Sequence, residues 1–162
     1  MEDGNALRIV AELMLLSAKT APKALGRDVL TAKIASGNEK ERIAVGMESI
    51  KKKNWERDAK TIRKAELLIL IGVKSAGAEE ALGGRIDVSD IEPQLKGEVC
   101  PTRLIDLGIA VGSAVKTASL HNVDNRVMWR AGVIAASLGV IDAAIVLAIP
   151  LSASEKSIFF DR

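Results

Sequence analysis

Residues 103–120 read RLIDLGIAVGSAVKTASL, and this stretch decides the fold. Gly108 and Gly112 stand four apart beside Ala110, Ala114 and Ala118, so on a helix they share a face and let another backbone come close. The same spacing drives helix pairing in membranes, but Asp106 and Lys116 make this a helix for water. The stretch predicts a long helix at a two-fold contact, and hence a homodimer joined through the helix that carries Ile105 to Leu120.

The flanking segments supply the layers that such a helix packs against. Downstream, residues 126–138 read as a helix capped by Asp124 or Asn125, buried through Val127, Ala131, Ile134 and Leu138, and ended by Gly139. Residues 144–149 form a wholly apolar strand closed by Pro150. Upstream, residues 5–19 predict a helix with Ala6, Ile9, Val10, Leu13 and Leu16 inward, stopping before Pro22. A half-buried strand over 29–36 follows, with Leu30, Ala32 and Ile34 on one face. Asn38 is placed to cap a helix that buries Ile43, Met47 and Ile50, and a second helix over 55–64 buries Trp55, Ala59 and Ile62. The run LLILIGV at 67–73 suits a strand covered on both faces. Residues 74–99, punctuated by Gly77, Gly83, Gly84, Pro93 and Gly97, read as loops with one short helix. The order predicts a single α/β domain over 1–162, a mixed sheet sandwiched by helices.

Composition narrows the function classes. The chain has two Trp, two Phe and no Tyr, which leaves no platform for stacking bases. A net charge of +2 gives no global field towards an anionic polymer. Lys53, Arg57, Lys60 and Lys64 recur at helical spacing, yet Glu56 four residues before Lys60 favours a solvated face over a nucleic-acid site. The apolar stretch 9–17 is far short of the ~20 residues of a membrane span. One cysteine excludes an intramolecular disulfide and nothing near Met1 reads as a signal peptide, so the expected compartment is the reducing cytoplasm.

Cys100-Pro101, the glycine-bearing helix and the ending SEKSIFFDR resemble the C-terminal half of an uncharacterised prokaryotic family of ferredoxin-domain-containing proteins. That family carries a cysteine cluster upstream of this half. Here the corresponding stretch, KSAGAEEALGG at 74–84, has no thiol, and a four-iron cluster normally takes four cysteine thiolates. The expectation is Cys100 as a small residue, no iron–sulfur cluster and no metal site. His121, the single histidine, reads as a helix C-terminal residue.

A second resemblance is to the flavin-dependent nitroreductases. Ala21-Pro22-Lys23-Ala24 is similar to the loop that lies against their flavin, and Asp106-Leu107-Gly108-Ile109-Ala110 to the start of their central helix, where two subunits pack. The resemblance implies a homodimer with FMN between subunits. Lys19, Thr20, Pro22, Lys23 and Arg27 would then form one wall, and Asn125, Arg126 and Lys156 the other. It also implies an oxidoreductase supplied by an electron-donor protein. Two departures stand out: Lys23 occupies the place of a small serine, and no arginine-rich segment stands ahead of the first helix. The bland readings remain alongside, with Lys19, Lys23 and Arg27 as a solvated basic loop and Asn125 and Arg126 as a cap and a surface ion pair. The tail with Phe159 and Phe160 docks either on its own domain or on a partner subunit. The alternative function is a non-catalytic dimer that has lost its cofactor sites.

Overall fold

The run LLILIGV is the centre of the molecule. A computed structural model describes residues 3–76 and 84–160, and in it this run is strand β2 (Leu67–Val73), buried at every position after Leu67. β1 (Leu30–Ala35) lies on one side of it and β6 (Ile145–Ser152) on the other; β5 (Asp124–Asn125) adds a short edge to β6. β3 (Ile86–Asp87) and β4 (Glu98–Val99) form a separate small ladder. Among the described residues there are five α-helices: α1 (Asp3–Thr20), α2 (Gly37–Ser49), α3 (Lys53–Lys64), α4 (Pro101–Leu120) and α5 (Trp129–Ser137). α1 and α4 pack on each other and on β2, while α2, α3 and α5 form a second group seated on β6.

The expected α/β sandwich is present. One detail differs: every strand pair described is antiparallel, so the sheet is not mixed. The register Leu30↔Val73↔Ile145 and Ala35↔Leu68↔Pro150 puts the start of β1, the end of β2 and the start of β6 at one end of the sheet. β5, paired as Asp124↔Ser152, lies at the other end and on the opposite edge.

Pro150 does not close the last strand, as expected, but sits inside it opposite Leu68. The reason is local. Ala148 exchanges both backbone hydrogen bonds with Met128, so alternate residues of β6, Pro150 among them, turn their backbone away from β2. On that side Pro150 meets the gap at residues 126–127, between β5 and the Met128 bridge, where no amide is needed. That gap also shortens α5. Asp124 and Asn125 are taken into the sheet rather than capping a helix, and α5 begins only at Trp129, leaving Val127 exposed.

Other expectations shift by less. α2 starts two residues earlier than Asn38 would cap it, with Ser36 at the cap position. α3 buries Trp55, Ala59 and Ile62 as expected, and Asp58 with them. The end of α3 is held by Lys40, whose ammonium donates to the Arg63 carbonyl at 3.4 Å and to that of Ala65. Burial pushes the Lys40 ammonium below its ordinary range.

α1 is rotated from the expected face. Leu7, Val10, Ala11, Met14 and Ala18 point inward, and Ile9, Leu13 and Leu16 lie outside. The helix carries apolar residues around most of its circumference, so periodicity alone does not say which stripe is core.

α5 packs along β6, and Gly132 is a point of tight approach. A Cβ on Gly132 would stand 1.9 Å from the Val146 carbonyl oxygen, so only glycine allows this seating. Because the obstacle is backbone, we expect Gly132→Ala to lose about 3 kcal/mol, the upper end for overpacking, in chemical denaturation.

Candidate functional site

The loop between α1 and β1 is built by charge. α1 ends at Thr20, and Lys23 folds back so that its ammonium donates to the carbonyls of Ala18 (3.2 Å), Lys19 (2.5 Å) and Ala21 (3.0 Å). These are among the orphan acceptors of a helix C-terminus, where a cation is favoured. A short 3-10 turn over Ala24–Gly26 follows, and Leu25 sits there at φ +57° with its side chain 69% exposed. An apolar residue held in the left-handed region and presented to solvent is uncommon and marks a strained, directed loop.

The turn is pinned from beneath. Asp106 on α4 accepts from the Ala24 N–H at 2.9 Å, and Arg103 donates to the Ala24 carbonyl at 3.2 Å. The two side chains pair with each other at 2.9 Å and are almost fully buried. The backbone of one residue is therefore gripped on both sides by a buried ion pair. The sequence reading uses Asp106 as a mark of solubility and as the start of the segment resembling the nitroreductase central helix, and gives Arg103 no role. The usable signal was a pair of opposite charges three apart, at the start of an otherwise apolar helix.

Beside the loop, Leu15, Ala18, Lys19, Asp28, Leu30, Thr31, Ala32 and Ile71 line a cavity of about 180 Å³. Lys19 is exposed at its rim, Thr20 spends its hydroxyl on the Leu16 carbonyl, and Pro22 and Arg27 are exposed. Asn125 donates to the Val123 carbonyl, and Arg126 lines a cavity of about 130 Å³ with Asp58, Val127, Met128, Trp129 and Arg130. In that cavity the Asp58 carboxylate lies between Arg57 (3.1 Å) and Arg130 (2.7 Å). Asp58 and Arg130 were missed in the sequence, although an acid inside the buried arc of an amphipathic helix is a legible sign. A third cavity, about 250 Å³ and almost purely apolar, lies between α4 and β6 and is lined by Leu104, Leu107, Gly108, Trp129, Ile145 and Leu147 together with Ile91.

The register separates the two walls expected of one site. Lys19, Lys23 and Arg27 border β1 towards the end where Val73 pairs Leu30, whereas Asn125, Arg126 and Lys156 belong to the end where Asp124 pairs Ser152. At ~3.3 Å per residue and ~4.8 Å between strands, these groups are on the order of 20 Å apart within one chain. Lys156 lies four residues past β6, exposed, and its carbonyl accepts from the Ser154 hydroxyl. Phe159 is buried against its own chain, and Phe160 stays 71% exposed. Glu79 and Glu80, a carboxylate pair in the sequence with no second group placed opposite it, lie outside the described residues. Cys100 is fully buried at the N-cap of α4, and His121 is the C-cap of that helix.

A family model described as an uncharacterized protein containing a ferredoxin domain (DUF2148) matches residues 96–162. A protein of Archaeoglobus fulgidus, itself described only as uncharacterized, is 40% identical over 170 residues, covering 98% of this chain and 92% of the relative. The chain belongs to the ferredoxin-domain family. A cluster does not fit this member, because the sequence supplies one thiol and Cys100 is sealed inside. No group of three or more His, Cys, Asp or Glu suited to a metal ion occurs among the described residues.

The shape of this family member is that of the nitroreductases. Nitroreductase A of Vibrio parahaemolyticus superposes with a TM-score of 0.61 at 11% identity, over 93% of this chain and 60% of that one. The FMN-dependent nitroreductase NfnB of Mycobacterium smegmatis, in complex with NADPH, gives 0.60 at 11% identity over 91% of this chain and 78% of that one. A nitroreductase with bound FMN from Desulfitobacterium hafniense gives 0.59 at 14%, over 91% and 78%. The chain thus spans about 60% of the length of the first of these. At such identities the likeness is one of fold.

Two substitutions test the loop. Asp106→Ala leaves the Arg103 charge buried and should cost ~3–5 kcal/mol in denaturant unfolding. Lys23→Met keeps the length of the side chain but removes three charged hydrogen bonds; a loss of roughly 2 kcal/mol is expected, with faster amide exchange confined to residues 18–26.

Proposed function

We propose that two copies of this chain join over α1 and α4 and hold a flavin at the junction, as a redox protein of nitroreductase type. The observation that carries this reading is the apolar surface left by one chain. Ile9, Leu13 and Leu16 on α1 and Ile105, Ile109 and Leu120 on α4 are all exposed, and a Cβ on Gly108 or Gly112 would meet nothing within 4 Å. A soluble chain rarely leaves such a face uncovered.

A dimer would also answer the separation of the walls. Groups on the order of 20 Å apart in one chain can face each other only across two chains. The three cavities described above, of about 180, 130 and 250 Å³, each fall below the ~300–1,000 Å³ of ligand pockets, so on this reading a flavin takes its other wall from a second subunit. Lys19, Arg27 and Arg126 make no ion pair or side-chain hydrogen bond among the described residues, which leaves three cations for a phosphate and for the negative edge of the ring. Those residues fit an FMN. Lys23 does not join them, since its ammonium is consumed by the end of α1; its part is to brace the loop. Leu25 would lie against the ring face, and the Thr20, Pro22 and Ala24 backbone would line it. Asn125 and Lys156 complete the second wall. When bound, the flavin supplies the transfer of an electron pair, and the chain's share is to bind, orient and exclude water.

A second reading is a dimer that has lost its cofactor, and one observation favours it: Asp28 shares the Lys19 cavity and opposes an anion there. The visible spectrum and light scattering of the purified protein separate the two. A yellow dimer that releases flavin on denaturation supports the first; a colourless dimer unchanged by added FMN leaves the second; a monomer overturns both. Leu13→Glu with Ile109→Glu should leave the fold intact, turn the dimer to monomer and reduce flavin content at least about tenfold.

A further inference from the structure

The outward face of α3 is a concentrated positive surface that the flavin reading does not use. At about 100° per residue, Arg57, Lys60 and Lys64 fall within about 40° of Lys53, opposite the buried Trp55, Ala59 and Ile62. Lys51, held at φ +54°, and Lys52 extend the stripe through the turn before the helix. All six side chains are exposed. Lys51, Lys52, Lys53, Lys60 and Lys64 make no ion pair or side-chain hydrogen bond among the described residues, and the nearby Glu48 is taken by Arg63. Residues 51–64 hold seven cations against two acids, while the whole chain carries only +2, so everything outside this segment is net acidic.

We propose that this face docks a compact acidic protein. Its shape and surroundings choose among polyanions. The stripe is only ~18 Å long, and a duplex with one charge per ~1.7 Å would run past it onto the net-acidic remainder of the molecule. A membrane surface would want apolar side chains among the lysines, but Asn54, Glu56 and Thr61 stand there and Trp55 points inward. A small acidic partner matches the patch and escapes the repulsion. It would also overlie the Arg126 cavity, because Arg57 and Arg130 share the Asp58 carboxylate and carry the positive surface across to it. The docking face stands whether or not flavin is bound.

The test uses the full chain and, as probe, a small acidic protein such as a plant-type ferredoxin, with binding read by fluorescence anisotropy at about 20 mM and about 200 mM salt. The native chain should bind and weaken at least about tenfold over that range. Lys53→Glu with Lys60→Glu should cost at least about tenfold at low salt, while Lys74→Glu with Lys96→Glu, an equal charge change elsewhere on the surface, should cost less than about threefold. Circular dichroism verifies that both variants fold. Equal losses in the two variants, salt-insensitive binding or no binding overturns the proposal. So does tighter binding of a DNA duplex or of phosphatidylserine vesicles through the same lysines. Flavin content, read from the absorbance of the same samples, reports on the cofactor independently of docking.

Discussion

The grip of Arg103 and Asp106 on the Ala24 peptide fixes what the rest of the site can do. Taking two charges out of water is expensive, and the cost is offset only when each finds the other and further hydrogen bonds besides. Here the bonds fall on the N–H and the C=O of one residue, so the turn is held in position and in orientation. The loop that presents Leu25 and the helix that presents Gly108 and Gly112 thereby become one rigid body. Lys23 locks the same loop from its other side by closing the end of α1.

That rigid body has two apolar sides. α1 and α4 each turn one stripe to the sheet and another to solvent, and on α1 the outer apolar residues Ile9, Leu13 and Leu16 run beside an exposed Arg8–Glu12 ion pair. The sheet beneath is short and narrow, with loop cations at one corner and Arg126 at the opposite one. On the proposed reading these two corners are the halves of one site, which a second chain would complete.

Much of this was legible in the sequence where one physical demand dominated. LLILIGV could only be a strand buried on both faces, the spacing of Trp55, Ala59 and Ile62 could only be one side of a helix, and the glycines of α4 do lie open. The misreadings share a cause, which is that a neighbour distant in sequence made the decision. The stripe of α1 is chosen by α4, and the start of α5 by the pairing of Asp124 and Asn125 with β6. Strand direction depends on how helices route the chain, which periodicity does not encode. Lys23 reads as a free cation because its hydrogen bonds go to carbonyls, which leave no trace in side-chain chemistry; its one acidic neighbour, Asp28, stands at 4.0 Å.

Pro150 has a consequence beyond its own strand. Any other amino acid there would restore a main-chain donor facing residues 126–127, and the edge could then zip shut from Asn125 through to Met128. The imino acid keeps that seam unstitched. Arg126 is left on a short arch of peptide between two paired positions of the sheet edge.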